Sequence, residues 1–263
     1  WNLESMKANI QGKTAFITGA SSGIGKSCAE KLAELGVHLV IAARRFDRLT
    51  SLAKELEKKY KIHCHPYALD IRNKDKIQDL VENLEKKSIE IDLVINNSGL
   101  AMSVDLLQEG SVENWDTMID TNIKGLLYIT RAFLPSMIQR NQGHIVNIGS
   151  VAGRSCYKGG NVYCATKYAV RAISSALRID LFGTAIRISE IAPGAVETEF
   201  SQIRLQDEEK AKKVYEGYEP LTPLDIAEAV EYCVTRPAHV NISEVVLYPQ
   251  AQTSVLEIHR KNK

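Results

Sequence analysis

The chain has 263 residues, 44% of them hydrophobic, and a formal charge of +1, so it can bury a full core as one large domain or two small ones. A near-neutral balance with no Lys/Arg block argues against a nucleic-acid face, and no run approaches the ~18 apolar residues of a membrane span, so small-molecule partners are expected. Cys28, Cys64, Cys156, Cys164 and Cys233 are widely spaced, form no Cys-x-x-Cys and follow no secretory signal, which predicts reduced thiols in a cytoplasmic protein. His63-Cys64-His65 alternates across a strand, a poor arrangement for converging metal ligands, and no metal is expected. Residues 1–9 read as an N-terminal extension; 1–5 precede the first methionine, Met6, and are expected to be an expression remnant or an upstream piece. Residues 10–263 read as a single domain.

In chain order, Thr14 to Thr18 is too short an apolar run for a helix and reads as a buried strand. Gly19-Ala20-Ser21-Ser22-Gly23-Ile24-Gly25 then leads into an amphipathic helix over Ile24 to Leu35, stopped by Gly36. Val37 to Ala43 is the second strand, Phe46 to Tyr60 a charged helix, and Ile62 to Leu69 the third strand. Lys74 to Lys87 is a helix, and Ile91 to Ile95 the fourth strand, closing on Asn96-Asn97-Ser98-Gly99. Val112 to Gln139 is predicted as one long helix, kinked near Pro135. His144 to Ile148 is the fifth strand, Asn161 to Leu181 a helix, and Ile186 to Ile191 the sixth strand. Residues 194–220 are polar and irregular apart from a short helix near 207–216, a candidate lid. Pro223 to Thr235 is a helix with Thr222 as N-cap, and Val245 to Tyr248 the last strand. Strands alternating with helices predict a Rossmann-like α/β fold: a doubly wound parallel sheet of about seven strands with helices on both faces.

The glycine turn is a candidate phosphate site, because glycine admits a close backbone approach and a helix N-terminus favours an anion. Its spacing, Gly-x-x-x-Gly-x-Gly, differs from Gly-x-Gly-x-x-Gly, so taken alone it is equally compatible with a ligand-free turn.

Beyond that turn the chain resembles the short-chain dehydrogenase/reductases, from about residue 10 to 250. Thr18-Gly19-x-x-x-Gly23-Ile24-Gly25 is similar to the family's cofactor loop, and Asn96-Asn97-Ser98-Gly99 to its Asn-Asn-Ala-Gly segment, with Ser98 replacing alanine. Asn122, Ser150, Tyr163 and Lys167 stand where its catalytic tetrad stands, and Pro193-Gly194 with Val196 and Thr198 resembles its nicotinamide-side loop. Ser111–Gly125, Gly159–Lys167 and Pro237–Ile242 look most like the NADP-dependent 3-hydroxy acid dehydrogenases, which act on serine, allo-threonine and small 3-hydroxy acids. The resemblance implies that Asn122 holds a water relaying protons towards Lys167, and that Lys167 also bonds the nicotinamide ribose. It further implies a homotetramer or homodimer built through 112–139 and 161–181.

Physical chemistry gives these residues work. A spacing of four puts Tyr163 and Lys167 on one helix face, where an ammonium would lower the phenol's pKa from about 10 and fit it for proton transfer. Ser150 can hydrogen-bond a substrate carbonyl. At the end of the second strand an acid would bind a ribose 2′-hydroxyl and an arginine a 2′-phosphate. Arg44 and Arg45 stand there, predicting NADP; Asp47 falls at the next helix start, where an acid suits the dipole. Asp70 and Ile71 are expected beside the adenine, with Asn97 and Gly99 backing its ribose. A hydroxy acid also needs a cation for its carboxylate; Arg154, Lys158 and Arg204 are candidates, Arg204 foremost. Two alternatives stand beside this reading: a carbonyl reductase of another substrate, such as a 3-oxoacyl thioester, and a non-catalytic NADP-binding redox sensor.

Overall fold

A computed structural model describes residues 10–261, so the reading of residues 1–9 lies outside the described residues. β1 (Thr14–Thr18), β2 (His38–Ala43), β3 (Cys64–Ala68), β4 (Leu93–Asn96), β5 (Gly143–Ile148), β6 (Ile186–Pro193) and β7 (Glu244–Leu247) form one sheet in the order β3-β2-β1-β4-β5-β6-β7. Every pairing is parallel. Strand order reverses between β1 and β4, which opens a crevice at their carboxyl ends.

A sheet covered on both faces needs strands that are apolar on both sides, and β2 shows why its run is continuous. Leu39 and Ile41 pack into one core with Cys28 and Leu32 of α1 (Gly23–Glu34), Leu49 and Leu56 of α2 (Phe46–Tyr60), and Val230 further along the chain. Val40 and Ala42 point the other way. They join Ile77 and Leu80 of α3 (Lys74–Lys86) with Ile129, Phe133 and Met137 further along the chain.

The predicted long helix is two. α4 (Val112–Ile119) and α5 (Leu126–Arg140) are joined by a π-helical stretch, Asp120–Gly125, and Pro135 lies inside an uninterrupted α5. The interruption thus falls at Asn122 and not at the proline. Asn122 is buried and donates its Nδ2 to the Leu100 carbonyl at 2.8 Å and to Thr166 Oγ1 at 3.0 Å, while its Oδ1 accepts from the Leu100 amide at 2.9 Å. A wider turn accompanies a side chain tied to two neighbouring segments, and such bulges are frequent at functional sites.

α6 (Asn161–Asp180) follows β5. The 194–220 segment holds two short helices, α7 (Phe200–Leu205) and α8 (Glu208–Val214); the first had no signature in the sequence pattern. α9 (Pro223–Val234) starts with a reciprocal cap between Thr222 and Asp225.

Candidate active site

A cleft of about 350 Å³ runs along the carboxyl ends of β1, β2, β4, β5 and β6. One wall is the glycine turn. Gly19 has φ +68°, and a Cβ there would lie 2.7 Å from Asn97 Nδ2. Gly25 lies beneath the turn: a Cβ would stand 2.5 Å from both the Gly19 carbonyl oxygen and Asn97 Nδ2, so helix and loop meet only because the residue is glycine. Asn97 braces this contact by donating to the Thr18 and Gly19 carbonyls at 2.9 and 3.3 Å. Ser22 is the N-cap of α1 but makes no side-chain cap bond, and the first turn carries no acid. The first amides of α1 are therefore left to a ligand, and their dipole favours an anion. Gly19, Ser21, Ser22, Gly23 and Ile24 face the cleft, whereas Ala20 and Gly25 are buried behind it.

Beyond this turn the rim is basic. Arg44 and Arg45 both face the cleft at the end of β2. Arg45 donates to Ser21 Oγ at 3.2 Å, to Ser22 Oγ at 2.6 Å and to Glu199 Oε2 at 2.7 Å, and Arg48 donates to Glu199 Oε1 at 2.7 Å. Glu199 and Arg48 were not anticipated; the contact spans 154 residues of sequence, which no local pattern reports. Hydrogen bonds from Arg48 foremost, then from Arg45 and Ser22, pull the Glu199 carboxyl down to about 2. Asp47 sits in the first turn of α2 and does not line this cleft.

Leu69, Asp70 and Ile71 form a further wall. Asp70 is held by Arg72, whose bond to it lowers the carboxyl below its ordinary value. Asn97 and Gly99 line the floor, and Pro193, Gly194, Val196 and Thr198 the side leading to the lid.

At the inner end Ser150, Tyr163 and Lys167 converge on the cleft. Ser150 caps a short turn by accepting from the Ala152 amide at 3.1 Å, and its side chain is near enough to Tyr163 to oppose the rise of the phenol. Lys167 is buried, donates to the Ile148 carbonyl at 3.0 Å, and stands 6.0 Å from the centre of the Tyr163 ring.

The electrostatics differ from the expected depression of the tyrosine. Burial pushes the Tyr163 phenol up, opposed by Ser150 and by Arg204, and burial draws Lys167 down to about 8, opposed by Glu190. For each group, desolvation of its charged form is the largest influence. A phenol that keeps its proton at neutral pH is set up as an acid.

Asn122 does not reach the cleft wall. Its amide is spent on Leu100 and Thr166, where it braces the loop that carries Gly99 and the helix that carries Tyr163.

The candidate carboxylate cations separate. Arg154 points away from the cleft, its guanidinium divided between Glu190 at 3.2 Å and Glu244 at 3.0 Å, so a substrate would have to displace two carboxylates to reach it. Lys158 is exposed on the turn before α6. Arg204, in the last turn of α7, does not line the cleft; its guanidinium stands 5.1 Å from the centre of the Tyr157 ring, with its Nε buried and unpartnered. Phe200 of the same helix packs on Tyr163 at 5.6 Å between ring centres. The 194–220 segment is pinned at its base, where Leu221 donates to the Ala195 carbonyl at 2.9 Å and accepts from the Glu197 amide at 2.8 Å, and Tyr215 donates to the Val196 carbonyl at 2.8 Å.

The described residues hold no group of three or more His, Cys, Asp or Glu able to bind a metal ion. The site is one built for an organic, anionic, two-ended cofactor.

Comparison with known proteins agrees. The pattern of the family described as short chain dehydrogenase matches residues 13–209. The NADP-dependent 3-hydroxy acid dehydrogenase of Schizosaccharomyces pombe is 45% identical over 256 residues, 97% of this chain and 99% of that protein. Sulfoacetaldehyde reductase 2 of Chromohalobacter salexigens is 40% identical over 239 residues, 90% of this chain and 94% of that protein. A structure described as the closed form of serine dehydrogenase complexed with NADP+ superposes with a TM-score of 0.87 at 43% identity, covering 94% of this chain and all of that one. With the sheet order, the glycine turn and the Ser150, Tyr163 and Lys167 convergence already in place, the chain belongs to the short chain dehydrogenase family.

Proposed function

We propose that the protein is an NADP-dependent oxidoreductase that moves a hydride between the nicotinamide and C3 of a small 3-hydroxy acid. The observation that carries this reading is a single cleft with a basic phosphate-sized rim at one end and Ser150, Tyr163 and Lys167 at the other. The names of the relatives support the substrate class.

The cofactor fits the residues present. The glycine turn and the open N-terminus of α1 would take its diphosphate, Arg44 and Arg45 its 2′-phosphate, and Asp70 with Ile71 its adenine. Asn97 and Gly99 would back the ribose next to the adenine, Lys167 would hold the ribose nearer the reacting end, and Pro193, Gly194, Val196 and Thr198 the nicotinamide side. When bound, NADPH supplies the hydride.

The chain's own part is positioning and proton transfer. Ser150, which accepts a hydrogen bond from the Ala152 amide, turns its O–H from the Tyr163 side to a substrate carbonyl oxygen when one is bound. Tyr163, kept neutral by burial, gives its proton to the same oxygen, and Lys167 beside it stabilises the phenolate that remains. In the reverse direction the Tyr163 phenolate, formed against the raised pKa and held by Lys167, takes the alcohol proton. Asn122 keeps the Leu100 loop and α6 in register and is a brace for this set. Arg204, with an unspent donor beside the two tyrosines, binds the substrate's carboxylate. Phe200 covers Tyr163 and keeps water from it.

A panel of 3-hydroxy acids, simple alcohols, a sulfonate aldehyde and a 3-oxoacyl thioester, assayed with NADP(H) by cofactor absorbance, tests this. Turnover of serine-like or other small 3-hydroxy acids well above neutral alcohols is expected. Preference for the sulfonate would mean that Arg204 serves another small anion, and preference for the thioester would overturn the substrate class. No turnover at all would favour an NADP-binding sensor. The arrangement α4–α5 and α6 is also inferred to pair copies of the chain into dimers or tetramers. A cytoplasmic location is in keeping with five free cysteines, and no described helix is long and apolar enough to cross a membrane.

A further inference from the structure

Behind the Ser150 turn lies a carboxylate that the chemistry above does not use. Glu190 of β6 stands opposite Asn147 of β5 and is fully buried. Its Oε1 lies directly against Gly149, leaving no room for a Cβ there. The same oxygen accepts from Arg154 Nη1 at 3.2 Å, and that nitrogen also reaches the Ser150 carbonyl at 3.4 Å. Oε2 has no partner. Lys167 approaches the same strand end from the other side, donating to Ile148, the residue before Gly149.

Burial pushes the Glu190 carboxyl up from its ordinary value, and the Arg154 guanidinium opposes that rise and favours the carboxylate. An apolar side chain of similar size would fill the space with less penalty, so a carboxyl group held here points to work done by it. The groups facing it are Arg154 from the turn after β5, Glu244 from β7, and Arg171 and Lys167 from α6. Arg154 is shared with Glu244, which is itself paired with Arg171 at 3.5 Å. Among the described residues no carboxylate lies at ion-pair distance from Lys167.

We propose that Glu190 is a positioning residue for the reaction: through Arg154 it holds the Ser150 turn in place, and its carboxylate backs the Ile148–Gly149 strand end to which the buried Lys167 ammonium is anchored. The proposal rests on Ser150, Tyr163 and Lys167 being the reacting set. Its sign is fixed. Removing a negative charge eases proton loss from every nearby group, so both Lys167 alone and the Tyr163–Lys167 pair should titrate at lower pH. An Arg154 relieved of one of its two carboxylates adds to the same effect.

The test compares wild type with Glu190→Gln and Glu190→Asp. Trace acetylation with acetic anhydride across pH, followed by mass spectrometry of the Lys167 peptide, reads the Lys167 midpoint without turnover. A midpoint near 8 is expected in the wild type. Glu190→Gln is expected to lower it by about one pH unit, and Glu190→Asp to keep it within about half a unit. The alkaline limb of kcat/KM for carbonyl reduction should move with it. Should the Gln variant fail to fold, Glu190→Leu carries the same comparison without a polar group to bury. An unchanged midpoint in a folded variant overturns the proposal, and so does a shifted midpoint with an unshifted kinetic limb. Tyr163→Phe separates the two layers: if it retains activity the reacting set is wrong, while the labelling still reports whether Glu190 reaches Lys167.

Discussion

Arg45 Nη1 donates to Glu199 Oε2 at 2.7 Å, so a residue expected at the ribose 2′-phosphate is already bound to the N-cap residue of α7. Arg48 holds the other oxygen of the same carboxylate. An arriving phosphate therefore competes with Glu199 for Arg45, and cofactor recognition is tied mechanically to the segment that carries Phe200 and Arg204.

Arg45→Ala is accordingly expected to weaken NADP binding by about 30-fold, the loss of roughly 2 kcal/mol for a charge-assisted contact, while NAD binding changes less than about twofold. Glu199→Gln should act oppositely and tighten NADP by a few-fold, modestly because the pair is partly exposed and screened. Titration of both cofactors by intrinsic fluorescence checks this. Equal losses for NAD and NADP in the arginine variant would remove Arg45 from the phosphate site.

The glycine turn makes a prediction about packing. A Cβ at Gly25 would meet the Gly19 carbonyl oxygen and the Asn97 amide at 2.5 Å, and neither can retreat without moving the turn. Gly25→Ala should cost about 1–3 kcal/mol of stability, read as a lower urea midpoint, and weaken NADP and NAD alike. Retention of both cofactor affinities would show that the turn tolerates the shift.

What the sequence made legible follows from where the constraint is local. β2 was readable because both of its faces are buried, and Thr222-Pro223 because a cap and a first-turn proline are adjacent in the chain. The break at Asp120–Gly125 was not, because it comes from Asn122 meeting Leu100 and Thr166, 22 and 44 residues away. Arg154 looked like a substrate cation because it follows Ser150. Its partners, Glu190 and Glu244, arrive from β6 and β7. The rise of the Tyr163 phenol was hidden for the same reason, since helix spacing shows the lysine one turn away but not the burial that outweighs it.

His144 gives a pH prediction for the fold. It is buried on β5 with Nε2 2.8 Å from Ser189 Oγ, and burial, with a smaller effect from Arg187, lowers its pKa from 6.5 to about 3. The unfolded chain then binds the proton that the folded chain refuses between those values, so this group's contribution makes stability fall as pH drops from about 6.5 towards 3. His144→Gln, which keeps a hydrogen-bonding amide but cannot ionise, should flatten that dependence in urea melts taken at pH 4 and pH 7. An unchanged slope would place the acid sensitivity elsewhere.

Arg204 tests the substrate end. Its Nε is buried and unpartnered beside Tyr157, and its charge reaches Tyr163. If it receives a carboxylate, Arg204→Ala should raise KM for a 3-hydroxy acid by about 10- to 100-fold, in line with loss of a charge-assisted bond, while KM for a neutral alcohol moves less than about threefold. The kcat for the acid should fall less than its kcat/KM, because the contact is made away from the reacting carbon and is present in ground state and transition state alike. Arg204→Lys should recover only part of the loss, since one ammonium cannot reproduce the guanidinium's paired donors. Steady-state kinetics on a matched acid and alcohol decide it: equal effects on both would mean that Arg204 merely seats the lid on Tyr157, and the carboxylate would have to find its cation elsewhere.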